Sequence, residues 1–590
     1  MSYTNKCLYI DLTSSTFEFK TTEKELIEKY IGAKGMGFAL LSKLDPSPGS
    51  FDPANPLIFV NGPLTGTKIQ TSARTTLVTR SPLTGGILDS HCGGFWGSRL
   101  KRAGYDYVYV TGKSEKPVYL YINEEQIKFL PAEELWGKGI YETDDELIKR
   151  HPGFDPRVAS IGPAGENLSK ISCIGTDKHR QFGRGGVGAV MGSKNLKAIV
   201  VDGNVPINYH DEKKFNELNI VATKDVMANP GIIFRREKGT MKCIRSGQEN
   251  KTLPVKNWSK VQYEDFEKIS SETAREELNW KDKGCFTCGI RCAKWASWDG
   301  HELEGPEYET TALLGSNCEI SDIKKIALSN EICNDLGLDT ISAGSSVGFA
   351  MECYEKGLLK DTNGLDLTWG NSDAQHELLK MMVHRDGIGD IFADGTKAAA
   401  EKIGGDSKDF AINIGGMELS GINPKGALTM GVAMSVADFA SHTRLWIAES
   451  EMGPEFKEED IVPAVVDGID TVNVRNSLVV CDFLTLDLEE LAELLNAATG
   501  SSHTATSLLE IGTRITHLAR AYNIKNGRTG KDDTLPERFF KETSLGGFME
   551  GKKLDKEYFQ KYIDQYYQSR GWNSKGEPEE SVLKKYKVIS

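Results

Sequence analysis

What this chain lacks narrows its class. No uninterrupted run reaches the roughly 18 apolar residues of a membrane-spanning helix, and Met1 to Thr13 does not follow the basic-then-apolar order of a secretory signal. Both absences predict a cytoplasmic protein with no membrane partner. There is no basic surplus, since 71 Lys and Arg stand against 84 Asp and Glu for a formal charge of −13. A broad surface for nucleic acid or anionic lipid is therefore disfavoured. No GxGxxG follows a strand and opens a helix, and no GxxxxGK[ST] occurs, which argues against NAD and ATP. Low-complexity tracts and long linkers are missing too, so domains should pack closely. The 11 cysteines, an odd number spread from Cys7 to Cys481, fit a reducing compartment.

What is present begins with length and glycine. A chain of 590 residues exceeds what one hydrophobic core supports, so about three domains are expected. Short β-branched or aromatic runs at Cys7 to Asp11, Leu57 to Asn61, Arg74 to Thr79, Tyr107 to Thr111 and Val118 to Ile122 predict a β-rich first domain. Glycine, at 60 residues, is somewhat concentrated there. Two glycine loops stand out, Ser81 to Gly97 and Asp177 to Gly192, with Arg74 just before the first and Arg180 and Arg184 inside the second. Open backbone N–H groups and guanidinium forks together suit phosphate oxygens, whereas plain turn chemistry accounts for the glycines equally well.

From about residue 205 the pattern turns helical and stays so. Ser321 is placed to cap a helix running to Asn334 and stopped by Gly337. Thr340 to Tyr354 is apolar nearly all round and reads as a buried helix, while Asp487 to Ala498 carries a leucine stripe closed by Gly500. The densest chemistry lies from Gly284 to Trp295, where Cys285, Cys288 and Cys292 stand at C-x2-C-x3-C spacing. Three thiolates so close along a turn are able to converge on one metal centre, a reading favoured over a disulfide in a long chain of this kind, and a cubane and a structural zinc both usually require a fourth ligand. Cys481 is the preferred completion. Cys92, Cys173, Cys318, Cys333 and Cys353 read as small apolar fillers.

These residues resemble the aldehyde ferredoxin oxidoreductases, the tungsten-bis-pterin family, over nearly the whole chain. The resemblance rests on the three-cysteine motif with Cys481, on Gly305-Pro-Glu-Tyr-Glu309, on the second glycine loop continued as Ser193-Lys-Asn-Leu-Lys-Ala-Ile199, and on Lys531-Asp-Asp-Thr-Leu-Pro-Glu-Arg538. It implies an α+β architecture. A β-rich pterin-cradling domain would span 1–205, a helical domain with the cysteine motif and first pterin motif 206–412, and a helical domain with the second pterin motif and fourth cluster ligand 413–590. The paired pterin motifs DxxGLD and DxxGL(C/D) stand here as Asn334 to Asp339 and Asn476 to Cys481, with Val480 in the second. Asparagine offers one acceptor and one donor where aspartate offers two acceptors. Val479 replaces the motif's glycine, so a positive φ is not expected cheaply at that turn.

The resemblance further implies a [4Fe-4S] cluster on Cys285, Cys288, Cys292 and Cys481, tungsten (or molybdenum) held by two pterins, and Mg2+ bridging the pterin phosphates through the backbone carbonyls of His91 and Gln181. Arg74 resembles the arginine between cluster and pterin, and Arg180 and Arg444 fall where basic residues meet pterin or phosphate oxygens. Glu309 and His442 fall on the catalytic pair. Their bland readings are a solvated acidic run with Glu302, Glu304 and Glu307, and a core histidine. The implied activity is oxidation of a small aldehyde to its acid with ferredoxin as acceptor. The alternatives are a benzoyl-CoA-reductase-like ring-reducing subunit and a non-catalytic zinc scaffold. A homodimer or additional electron-transfer subunits are compatible partners. The helix before the first pterin motif, Lys325 to Cys333, contains no histidine, so no bridging iron is expected.

Overall fold

The computed structural model describes residues 2–438, 447, 451, 453 and 455–588. Two six-stranded sheets dominate its N-terminal third. The first runs in the order Thr16–Thr21, Lys6–Asp11, Tyr107–Thr111, Leu57–Val60, Thr75–Arg80, Ile87–Cys92. The second runs Arg180–Phe182, Ile174–Thr176, Arg157–Ser160, Leu196–Val201, Val118–Ile122, Ile127–Pro131.

The strand period of two sorts the core. Leu57 and Phe59 face the second sheet and join Leu120, Ile174 and Phe182, whereas Ile58 and Val60 belong to a separate core with Met36, Leu478 and Ile515 from helices. Both faces of the first sheet are thus covered, which is why its central strands read as apolar throughout. Between the sheets the ring of Phe59 lies 5.3 Å from Trp96 and 5.8 Å from Phe182.

The two glycine segments are not continuous loops. The first contains the strand Ile87–Cys92, paired with Thr75–Arg80, and opens the helix Trp96–Arg102; the second contains Arg180–Phe182 and the helix Val187–Ser193. Glycines at both spots mask short strands that tertiary pairing stabilises.

The rest of the chain is largely helical, so the fold is α+β with the β-rich part first. The helix after residue 320 runs Ile323–Leu336, and its cap is Asp322 rather than Ser321: the Asp322 carboxylate accepts from the N–H groups of Lys324 and Lys325. Gly337 ends it at φ 85°. The buried helix runs Thr340–Glu355, and Leu488–Thr499 carries an Asp487–Glu490 capping box with Gly500 behind it. Helical structure is interrupted once in a way that matters. Lys281–Lys283, Ala293–Trp298 and His301–Glu304 form a three-stranded antiparallel sheet, and the cysteine motif occupies its first connection. Lys531 to Arg538 is architectural here: Asp533 accepts from Arg520 and Arg528 at 3.0 and 2.9 Å, and Arg538 pairs with buried Glu352 at 2.5 Å.

Val479 does adopt the left-handed conformation, at φ 64° and ψ 40°, closing the helix Ile461–Leu478. Such a conformation costs a β-branched residue about 1–3 kcal/mol. It persists because Val479 is wholly buried against Gly62, where an added Cβ would stand 2.3 Å from Val479 Cγ2 and 2.6 Å from the Leu478 carbonyl oxygen. Gly62→Ala should therefore destabilise the protein by about 3 kcal/mol, the upper range for overpacking. A denaturant midpoint within error of the parent would show that this junction yields.

Candidate active site

The cysteine hairpin doubles back through Thr287 and Arg291, each at φ 50°. Neighbouring segments hold it in place. Phe286 N–H donates to the Gly94 carbonyl at 3.0 Å, Gly289 N–H donates to Gln70 Oε1 at 2.7 Å, and the hydroxyls of Thr287 and Ser72 are 3.1 Å apart. Cys481 arrives from beyond the Val479 turn, its N–H donating to Thr71 Oγ1 at 3.3 Å. The stretch from Gln70 to Arg74 therefore fixes both parts of the cysteine set. Cys285, Cys288, Cys292 and Cys481 line one cavity of about 330 Å³. Gly93 closes in on it, since a Cβ there would lie 3.1 Å from Cys285 Sγ. Burial, then the nearby Cys285 and Cys481, push the Cys288 thiol up to about 11. Such thiols ionise readily only against cations.

A second cavity of about 510 Å³ adjoins it. Arg74, His91, Gln181, Glu309, Asp339 and Phe483 line both. Arg74 spans the junction: its Nη2 donates to Cys481 Sγ at 3.2 Å and stands 3.9 Å from Asp482. Arg180 lies on the cysteine side, with Nε 3.0 Å from Glu304 Oε2, and Arg184 lies on the other, donating from Nε to Asp339 Oδ2 at 3.2 Å and from Nη2 to the Glu418 carbonyl at 2.7 Å. The Asp339 carboxylate also caps Thr340–Glu355 through Ile341 N–H at 3.1 Å and Ser342 Oγ at 2.8 Å. The His91 ring sits between Thr76 Oγ1, at 2.9 Å, and Asp89.

The two motif asparagines behave differently. Asn334 accepts from Gln181 Nε2 at 3.2 Å, so these two predicted residues meet. Asn476 is fully buried, and among the described residues neither its oxygen nor its nitrogen has a hydrogen-bond partner. An enclosed amide without partners is costly, and a ligand offering one donor and one acceptor would satisfy it. Val480 is buried, with its N–H on the Arg475 carbonyl at 3.2 Å. His442 and Arg444 lie outside the described residues.

Glu309 stands in the first turn of Tyr308–Leu314. Its Oε2 accepts from Gly421 N–H at 2.7 Å, while Oε1 is enclosed with no partner among the described residues. Burial raises its carboxyl to about 7, against the lowering effect of the Gly421 N–H and Arg184. The acidic run around it is not one solvated face. Glu302 is exposed, but Glu304 holds Arg180, and Glu307 accepts from Thr240 Oγ1 at 2.5 Å. Sequence reading assigned no role to Thr240, Glu304, Glu307, Asp482 or Phe483. Strand alternation along His301–Glu304 puts Glu302 and Glu304 on one face, so it does not separate the exposed Glu302 from the buried Glu304.

Comparison with known proteins places this geometry. A family model described as aldehyde ferredoxin oxidoreductase, N-terminal domain, matches residues 7–203, and one described as aldehyde ferredoxin oxidoreductase, domains 2 and 3, matches 217–588. The chain is 36% identical to a tungsten-containing aldehyde ferredoxin oxidoreductase of Pyrococcus furiosus over 98% of each chain. It is 31% identical to the WOR-like subunit of an aliphatic sulfonate oxidoreductase of the same organism, covering 99% of this chain and 96% of the relative. A solved structure, the active-site complex BamBC of benzoyl coenzyme A reductase with 1,5-dienoyl-CoA, superimposes with a TM-score of 0.86 at 26% identity, covering 100% of this chain and 97% of that one. This chain belongs to the aldehyde ferredoxin oxidoreductase family of tungsten oxidoreductases.

Proposed function

We propose that this protein oxidises an aldehyde to its carboxylic acid and passes the electrons to ferredoxin. The observation that carries the reading is the junction of the two cavities, where Arg74 contacts Cys481 on one side and faces the chamber of Glu309 on the other. The residues fit the cofactors the family implies. The unsatisfied Asn476 amide and Glu309 Oε1, the glycine approach at Gly93 and the three arginines suit a large polar ligand carrying phosphate. Four thiols around a cavity suit a cubane. A single zinc would require its sulfurs about 2.3 Å from one point, and among the described residues no three metal-binding side chains are grouped to hold one ion.

Bound there, a tungsten (or molybdenum) bis-pterin would supply two-electron oxidation, and a [4Fe-4S] cluster one-electron transfer onward. The chain's own tasks are separate. Cys285, Cys288, Cys292 and Cys481 would hold the cluster; Asn334, Asn476, Arg180 and Arg184 would meet the pterins; the carbonyls of His91 and Gln181 would hold Mg2+. Glu309 accepts a proton at Oε1. Arg74 positions Cys481 and places positive charge between the electron-carrying sites.

Metal analysis joined to an aldehyde-dependent ferredoxin assay tests this. About four iron atoms for one cubane and one tungsten or molybdenum per chain, with turnover, are expected; zinc alone would select the scaffold. A second reading is favoured by the structural likeness to benzoyl coenzyme A reductase: a ring-reducing catalytic subunit. Aromatic thioester turnover without aldehyde activity would establish that instead.

A further inference from the structure

Exposed apolar side chains are unevenly spread over this molecule. Of nine large apolar residues left exposed among the described ones, four lie on two successive helices, Glu212–Ala228 and Pro230–Lys238: Ile220 at 68%, Val221 at 60%, Ile233 at 49% and Phe234 at 48%. An apolar concentration of this kind marks an interaction surface more often than chance. These helices also wall the cysteine hairpin. Met227 Sδ accepts from Arg236 and would lie 2.8 Å from a Cβ at Gly289, a Cβ at Gly239 would stand 3.0 Å from the Cys292 carbonyl oxygen, and the Arg235 guanidinium lies 3.8 Å over the ring of Phe483, two residues beyond Cys481.

The helix Glu212–Ala228 carries acids and bases in equal number, whereas, among the described residues, the unpaired exposed charge on the cysteine hairpin is basic. Lys281 and Arg291 are exposed beside the cysteines and join no ion pair among the described residues. Arg102 lies 5.7 Å from the ring of Phe286, between Cys285 and Cys288. The nearest acid on the hairpin, Asp282, is already held by Lys294 at 3.0 Å and Arg275 at 3.5 Å. On a chain of net charge −13, exposed cations on the cysteine hairpin next to helices that carry exposed apolar side chains favour an acidic visitor.

We infer that the exposed Ile220, Val221, Ile233 and Phe234, together with Lys281 and Arg291 of the adjoining cysteine hairpin, form the docking surface for an acidic iron–sulfur electron carrier. The inference rests on the proposed ferredoxin acceptor and locates where that acceptor binds. Apolar side chains with cations nearby suit a short-lived redox encounter, in which the charges steer and the apolar contacts orient.

The test uses the purified holoenzyme, an acidic two-cluster ferredoxin as probe, and benzyl viologen as a small acceptor that needs no docking surface. For Ile233→Glu/Phe234→Glu and for Lys281→Glu, the ferredoxin KM should rise about tenfold or more. Viologen turnover and iron content should match the parent. The parent's kcat/KM for ferredoxin should fall with ionic strength, and less steeply in Lys281→Glu. An unchanged ferredoxin KM would overturn the surface while leaving the acceptor standing. A parent dimer that these substitutions dissociate would assign the patch to a second copy. A parent that reduces viologen but not ferredoxin would refute the acceptor and the surface together.

Discussion

Glu309→Gln should lower turnover by roughly 100-fold or more, the usual scale for losing a positioned acid or base, with metal and iron content unchanged. The substitution keeps shape and the hydrogen bond from Gly421 N–H, which the glutamine oxygen still accepts. It removes only the capacity of Oε1 to take a proton. Aldehyde oxidation releases a proton along with the electrons, and Glu309 is an enclosed carboxylate facing the larger cavity with an oxygen unclaimed by the described residues. Its carboxyl, raised to about 7 by burial, is ionised by only about half at neutral pH. A base works in its ionised form, so turnover should climb with pH through about 7, and that ascending limb should vanish in Glu309→Gln. A variant with the parent's pH profile would place the chemistry elsewhere, and loss of metal would make Glu309 a structural residue. His442 remains the proposed partner in this transfer.

Cys481→Ala should abolish a complete cluster and reduce ferredoxin-linked turnover by at least roughly 100-fold, beyond the 10 to 100-fold typical of losing an outer-shell partner. No other cysteine lines that cavity besides Cys285, Cys288, Cys292 and Cys173 among the described residues. Cys173 is committed elsewhere, donating from Sγ to Gln181 Oε1 at 3.2 Å. The loss also strips Arg74 of its thiol partner at the junction of the cavities. Iron quantification and the cluster's visible absorbance read the outcome. A variant retaining about four iron atoms and its ferredoxin-linked rate would remove Cys481 from the ligand set.

Part of the candidate site was legible because its chemistry is local in the chain. Cys285, Cys288 and Cys292 occupy one turn, and their spacing requires no tertiary information to suggest a shared metal centre. Cys481 was the preferred fourth ligand and the resemblance supported it, yet nothing between residues 292 and 481 signals that a tight, strained turn at Val479 returns the chain to Thr71. The misplaced cap has a physical cause. Ser321 and Asp322 are both good caps, and the carboxylate took the position because it reaches two backbone N–H groups. Val479 is no misreading: its positive φ is expected to be costly, and packing against Gly62 holds the residue in it nonetheless.

The sequence by itself determined the β-rich beginning and the helical remainder, because apolar periodicity and capping residues act over a few residues or one turn, and the resemblance carried by its short motifs pointed to the family. Only the tertiary structure decided which carboxylates of the Glu302 to Glu309 run are buried, that Gln181 meets Asn334, that Arg74 joins the two cavities, and that Asn476 is enclosed without a partner. Those properties depend on burial and on contacts between segments hundreds of residues apart. Desolvation and directional hydrogen bonding act through space, and chain order alone does not encode the distances on which both depend.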